Sequence, residues 1–191
     1  LEVHNLGIEA NVAHSGGACA ISAVATVGSA LASKIILSNV WVTSQVTDGW
    51  SYPIYIDGKA RTSVAVGSAI GGRDIFFSNV HVFGASVQSV TLYSVVGFCW
   101  EGGGLYTASG TGSTSLAILG LTDPKSWYVK IDISVINGAL SLSECIYVAL
   151  KTTVIGGNVF NTSGSNWCRV EACRIIGTQA ANWTSSNYIT N

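Results

Sequence analysis

Apolar and polar residues recur along the chain in a frame of eight positions. Apolar residues occupy positions 1, 3, 6 and 8, and Asn occupies position 5, in the segments that begin at Leu1, Ile35 and Ile75. Side chains alternate across a strand, and the Asn shifts the phase by one residue. The frame therefore predicts two short strands that meet at a corner and keep all four apolar positions on one face.

Three later segments keep the apolar residues at positions 1, 3 and 8 and replace the Asn. They begin at Val129, Val148 and Cys168, so the last intervals are 19 and 20 residues long. A unit of about 20 residues cannot bury its apolar face alone, so successive units are expected to stack in parallel.

Stacking would place equivalent side chains above one another. The three Asn residues at position 5, Asn5, Asn39 and Asn79, are then expected to form a hydrogen-bonded ladder. Further strands are predicted at 54–56, 90–92 and 116–118, whereas the glycine-rich segments 102–104 and 110–115 are predicted to be protruding loops.

Composition excludes several classes of protein. The chain has 191 residues, of which 48% are apolar and 10% are charged, and its net charge is −1. This composition is too apolar for a disordered chain, and nine basic residues give no electrostatic footprint for nucleic acid. The apolar run at 18–32 is too short and too polar for a membrane span. We expect one domain over 1–191. Because the sequence begins at Leu1 within a strand pattern, we expect this domain to be a fragment of a longer chain.

Five cysteines without a C-x-x-C spacing, and three scattered histidines, predict neither a metal site nor a cofactor.

The repeated pattern I-x-L-S-N-V-x-V resembles the right-handed parallel β-helix of pectate lyases, polygalacturonases and bacteriophage tailspikes. The resemblance implies an all-β, right-handed, single-stranded parallel β-helix of about six to nine coils. Likeness to tailspikes further implies a homotrimer in the virion tail or the extracellular space, with a bacterial surface polysaccharide as its partner.

Large apolar side chains occupy outward positions of the frames that begin at 35 and 75. Such a run is expected to be covered. A subunit interface of the trimer is one interpretation, and long insertions that fold back over the strands are the other. The predicted interface residues are Ile36, Trp41, Phe76 and Phe83.

Glycosidases of this fold use paired carboxylates, and aromatic rings stack on the apolar faces of sugars. The predicted catalytic residues, which lie in or beside loops with aromatic neighbours, are Asp48, Asp57 and Glu101. The predicted carbohydrate-binding residues are Trp50, Tyr55 and Trp100. The alternative is that Asp-Gly merely marks turns and that the tryptophans belong to the core or an interface.

The sequence therefore predicts a tailspike segment that binds a polysaccharide. Whether it also cleaves the polysaccharide stays open; an endo-acting glycosidase is favoured over a lyase, since clustered calcium-binding acids are absent from the sequence. The alternatives are a trimeric shaft without glycan chemistry and a fragment of a secreted pectinase-like enzyme.

Overall fold

A computed structural model describes residues 1–11, 19–24, 33–44, 50–58, 72–84, 88–106, 114–120, 125–161, 164–179 and 188–190. These residues form two parallel β-sheets, and none of them lies in a helix. A helix able to cross a membrane is accordingly not found in the part of the chain that the structure describes.

The larger sheet has eight strands, which neighbour one another in chain order. They are β1 (Glu2–Ala10), β3 (Ser33–Ser44), β5 (Gly72–Phe83), β7 (Val95–Tyr106), β9 (Ser126–Ile136), β11 (Cys145–Ile155), β13 (Arg169–Ile175) and β14 (Tyr188–Thr190).

The smaller sheet has six strands. They are β2 (Ile21–Val24), β4 (Ile54–Asp57), β6 (Gln88–Tyr93), β8 (Thr114–Leu119), β10 (Ala139–Ser143) and β12 (Val159–Asn161). The strands predicted at 54–56, 90–92 and 116–118 are confirmed as parts of β4, β6 and β8.

From β1 to β13 the chain alternates between the two sheets, one strand in each. Each strand therefore pairs in parallel with the strand two places along the chain. The all-β class and the parallel stacking of the repeats are as predicted, and this topology is compatible with a parallel β-helix.

The repeats stack in the predicted register. Ile35 is paired with Ile75, and Val129 with Val148, so equivalent frame positions lie side by side. The predicted inward residues of β3 and β5 are all buried, as are those at frame positions 1, 3 and 8 of β9 and β11, and they form one core with the inward residues of the smaller sheet. At frame position 6 the prediction is wrong for β9 and β11, because Ser134 and Thr153 are exposed. Leu1 and Leu6 are more exposed, at 58% and 42%, because β1 lies at the end of the larger sheet.

The stack of asparagines is also confirmed. Asn39 donates to Asn5 and Asn79 donates to Asn39, both at 3.0 Å. All three have φ of 52°, in the left-handed region that Asn tolerates better than other side chains. One left-handed residue produces the phase shift that the frame requires.

The predicted loop at 102–104 is wrong, because these glycines lie inside β7. The sequence frame missed this strand since Gly103 stands where the neighbouring strand has Val80. A Cβ on Gly103 would come within 1.9 Å of the Val80 carbonyl oxygen, so only glycine fits. Thr114 and Ser115, also expected in a loop, begin β8.

Candidate functional site

The predicted catalytic acids do not form one site. Asp57 ends β4 and is only 1% exposed; its carboxylate accepts a hydrogen bond from the Tyr55 hydroxyl at 3.3 Å. The carboxylate of Asp57 is therefore closed to solvent, and its catalytic role stays a prediction. Glu101 lies in β7 of the other sheet and is exposed. Asp48 lies outside the described residues.

The predicted carbohydrate-binding aromatics are also separated. Trp100 is 0% exposed, and its indole N–H donates to the Gly102 carbonyl at 2.9 Å. Frame position 3 of β7 points inward, so Trp100 belongs to the core and has no free face for a sugar. Trp50 is half-buried against the core and donates to the Thr43 carbonyl at 2.7 Å.

Tyr55 lies at the outer face of the smaller sheet. It lines a groove of about 570 Å³ together with Tyr52, Tyr93 and Gln88. The Tyr52 and Tyr55 rings meet edge to face, with centroids 5.8 Å apart. A sugar-binding role for Tyr55 fits this position and stays a prediction.

The four predicted interface residues face outward. Trp41 and Phe76 are 40% and 48% exposed, and Ile36 and Phe83 are half-buried. Trp41 stacks on His81, with centroids 5.6 Å apart and planes within 2°. Most residues of the long insertions lie outside the described ranges, and the interface role of this patch stays a prediction.

A second column of left-handed residues lies immediately before frame position 1, and we call this place the corner position. Asn and Gly are the residues that adopt such a backbone most readily. The column contains one glycine, three aromatic residues and two charged residues: Lys34, Asp74, Gly97, Tyr128, Tyr147 and Trp167.

The three aromatic residues of the corner position form an aromatic ladder of Tyr128, Tyr147 and Trp167. The Tyr128 and Tyr147 rings are 5.2 Å apart with planes within 5°, and Tyr147 and Trp167 are 6.2 Å apart at 16°. Trp127 flanks the ladder, with its ring 6.3 Å from that of Tyr128 and steeply inclined to it.

The ladder is costly to the fold and open to solvent. A left-handed conformation costs a residue other than glycine about 1–2 kcal/mol, and a stacked aromatic pair returns about 0.5–1.5 kcal/mol. Tyr128, Tyr147 and Trp167 are nevertheless 58%, 46% and 58% exposed. Strained residues and exposed apolar patches both concentrate at functional sites, so this ladder is the strongest candidate site.

Charged side chains follow the ladder on the outer face of the same strands. Lys130 and Arg169 are the strand neighbours of Ala149 on either side. Lys130 binds Glu101 at 2.8 Å, and this hydrogen bond and ion pair hold the pKa of Glu101 below its ordinary value. Arg169 forms an ion pair with Glu171.

The sequence contained a signal for this ladder that the frame did not use. Tyr128, Tyr147 and Trp167 each precede frame position 1 and are separated by 19 and 20 residues. Alternation alone assigns no direction to a residue at a corner, so the exposure of these rings was not predictable from it.

No group of three or more His, Cys, Asp or Glu side chains suited to a metal ion occurs among the described residues. When the chain is compared with protein-family models, with curated proteins and with solved structures, none of the three comparisons finds a match.

Proposed function

We propose that this chain is a segment of a bacteriophage tailspike, a right-handed parallel β-helix that binds a bacterial surface polysaccharide along the aromatic ladder. The two parallel sheets and the strands that alternate between them support the β-helix, and right-handed crossovers are the general rule between parallel strands. The corresponding location is the virion tail, outside the host cell.

The exposed ladder of Tyr128, Tyr147 and Trp167 is the observation that carries the proposal. Its rungs are 5.2 and 6.2 Å apart, comparable with the length of one sugar unit in a polysaccharide. Because one rung is added per strand, the ladder follows the stacking direction and suits a long ligand better than a small molecule.

A homotrimer is part of the proposal. The outward-facing patch of Ile36, Trp41, Phe76 and Phe83 lies on β3 and β5, away from the ladder, whose tyrosines lie on β9 and β11 and whose tryptophan lies two residues before β13. A rotationally symmetric trimer could bury the patch and leave the ladder accessible.

Cleavage of the polysaccharide is the second candidate function. Glu101 and Asp132 are register partners on neighbouring strands, which places their backbones about 5 Å apart. Retaining glycosidases hold their two carboxyl groups at about that spacing. The lowered pKa of Glu101 suits a nucleophile or base rather than an acid.

The test is binding to a panel of purified capsular and O-antigen polysaccharides. Tyr147→Ala and Trp167→Ala should each weaken the binding of a recognised polysaccharide by about tenfold or more. Tyr147→Phe, which keeps the ring, and Ile176→Ala, which removes an apolar side chain that is 53% exposed, should bind like the wild type.

Four further outcomes separate the alternatives. Reducing ends released by the wild type and not by Glu101→Gln would establish cleavage. A solution mass of three chains without any polysaccharide binding would favour the shaft. A monomer in solution would contradict the trimer. Polysaccharide binding that Tyr147→Ala and Trp167→Ala leave unchanged would contradict the ladder as the binding site.

A further inference from the structure

The outer face beside the aromatic ladder carries two columns of charged residues. On β9, β11 and β13 the column nearer the ladder is formed by Lys130, Ala149 and Arg169. The next column, two residues further along each strand, is formed by Asp132, Lys151 and Glu171.

The two columns differ in whether the middle residue carries a charge opposite to that of its neighbours. Over β9, β11 and β13 the farther column places Lys151 between two acids, which is a favourable arrangement for neighbours across strands, while on β7 Glu101 adds a further acid beside Asp132. In the nearer column the place between the two cations is held by Ala149, which has no charge. The nearer column therefore lacks the one acid that would complete the same alternation.

The small side chain of Ala149 leaves space above it. A depression of about 160 Å³ lies over Ala149, and its charged lining consists of three cations and two acids: Lys130, Lys151, Arg169, Asp132 and Glu171. Two strand spacings separate the backbones of Lys130 and Arg169, about 10 Å, so both long side chains can reach a group placed over Ala149.

Both cations have several hydrogen-bond donors. An ammonium has three donors and a guanidinium has five. Lys130 can therefore keep its bond to Glu101, and Arg169 its pair with Glu171, while each also binds a further oxygen.

We infer that the bound polysaccharide carries an acidic substituent, a carboxylate, which occupies the depression over Ala149 between Lys130 and Arg169 while a sugar ring contacts Tyr147 or Trp167. Tyr147 and Trp167 precede Ala149 and Arg169 by two residues, about 6–7 Å along an extended strand, which matches a substituent on a stacked sugar. This inference rests on the proposed polysaccharide binding.

The experiment compares each acidic polysaccharide of the panel with its own carboxyl-reduced form, in which the carboxylates have become neutral hydroxymethyl groups on an unchanged backbone. The wild-type chain should bind the acidic form about tenfold more tightly, as expected for hydrogen bonds between charged groups. Added salt should reduce this difference.

Protein variants supply the second arm. Lys130→Gln and Arg169→Gln should each weaken binding of the acidic form and leave binding of the reduced form unchanged. Arg174→Gln is the matched control, because Arg174 is an exposed cation on β13 away from the depression. The first arm, which compares the acidic and reduced polymers on the wild-type chain, does not depend on how the variants fold.

The outcomes distinguish the two proposals. Equal binding of the acidic and reduced forms, still lost in Trp167→Ala, would overturn the acidic substituent and keep polysaccharide binding. A preference for the acidic form that Arg174→Gln removes as fully as Arg169→Gln would also overturn this site. If no polysaccharide binds in a ladder-dependent way, the proposed function itself fails.

Discussion

The stack of Asn5, Asn39 and Asn79 and the aromatic ladder of Tyr128, Tyr147 and Trp167 are built in the same way. Each places one side chain per strand in the left-handed backbone region of the larger sheet. The first three strands of this sheet carry the asparagines; two of the rings lie on β9 and β11, and Trp167 lies two residues before β13.

The two stacks differ in the interactions that stabilise them. Asn tolerates the left-handed backbone, and each amide bonds to the next at 3.0 Å, so the Asn stack is explained by stability alone. The rings gain little from that backbone and remain about half exposed. The same backbone arrangement thus stabilises the fold in one half of the sheet and exposes an aromatic surface in the other.

The largest expected effect on stability comes from breaking the Asn stack in its middle. Asn39→Ala removes one donated and one accepted hydrogen bond, each worth about 0.5–1.5 kcal/mol, and puts alanine in the left-handed region at about 1–2 kcal/mol. We expect the free energy of unfolding, measured with urea, to fall by about 2–5 kcal/mol.

Asn39→Gly separates the two contributions, because glycine accepts the backbone and still lacks the amide. It should destabilise the chain less than Asn39→Ala. A free energy of unfolding that Asn39→Ala leaves unchanged would show that the Asn stack contributes nothing.

The middle of the aromatic ladder should behave in the opposite way. Tyr147→Asn places a residue suited to the left-handed backbone at the corner position and removes the ring. The unfolding free energy should stay within about 1 kcal/mol of the wild type, while polysaccharide binding is lost. A loss of stability as large as that of Asn39→Ala would make the ladder a structural element and contradict its assignment as a site.

The smallest effect concerns the end of the Asn stack, where His81 Nε2 lies 2.8 Å from Asn79 Oδ1. Burial lowers the pKa of His81 below its ordinary value of 6.5, so the unfolded chain takes up the proton at a higher pH than the folded chain. Stability should therefore fall as the pH drops through about 6.5 and level off below the folded pKa.

Melting temperatures between about pH 7.5 and pH 5 measure this effect, and His81→Gln, which does not titrate, should reduce the dependence. A rise in melting temperature on acidification would mean that attraction of the imidazolium to the Trp41 ring outweighs burial.

Local pattern was sufficient to predict much of the fold. Alternation around Asn39 and Asn79 identified the inward residues of β3 and β5, because the side-chain period of a strand and the left-handed tolerance of Asn are properties of short segments. The same reasoning predicted β4, β6 and β8 and the hydrogen-bonded Asn stack.

Tertiary structure alone decided where the candidate site lies. Gly103 lies in β7, where the Val80 backbone leaves no room for a Cβ. Trp100 lies in the same strand and points into the core. Tyr147 and Trp167 meet only because parallel strands bring residues 20 positions apart to a ring separation of 6.2 Å. The sequence by itself determined the repeat and its inward face, since those depend on neighbouring residues. Which outward residues share a surface depends on the register between distant strands, and packing sets that register.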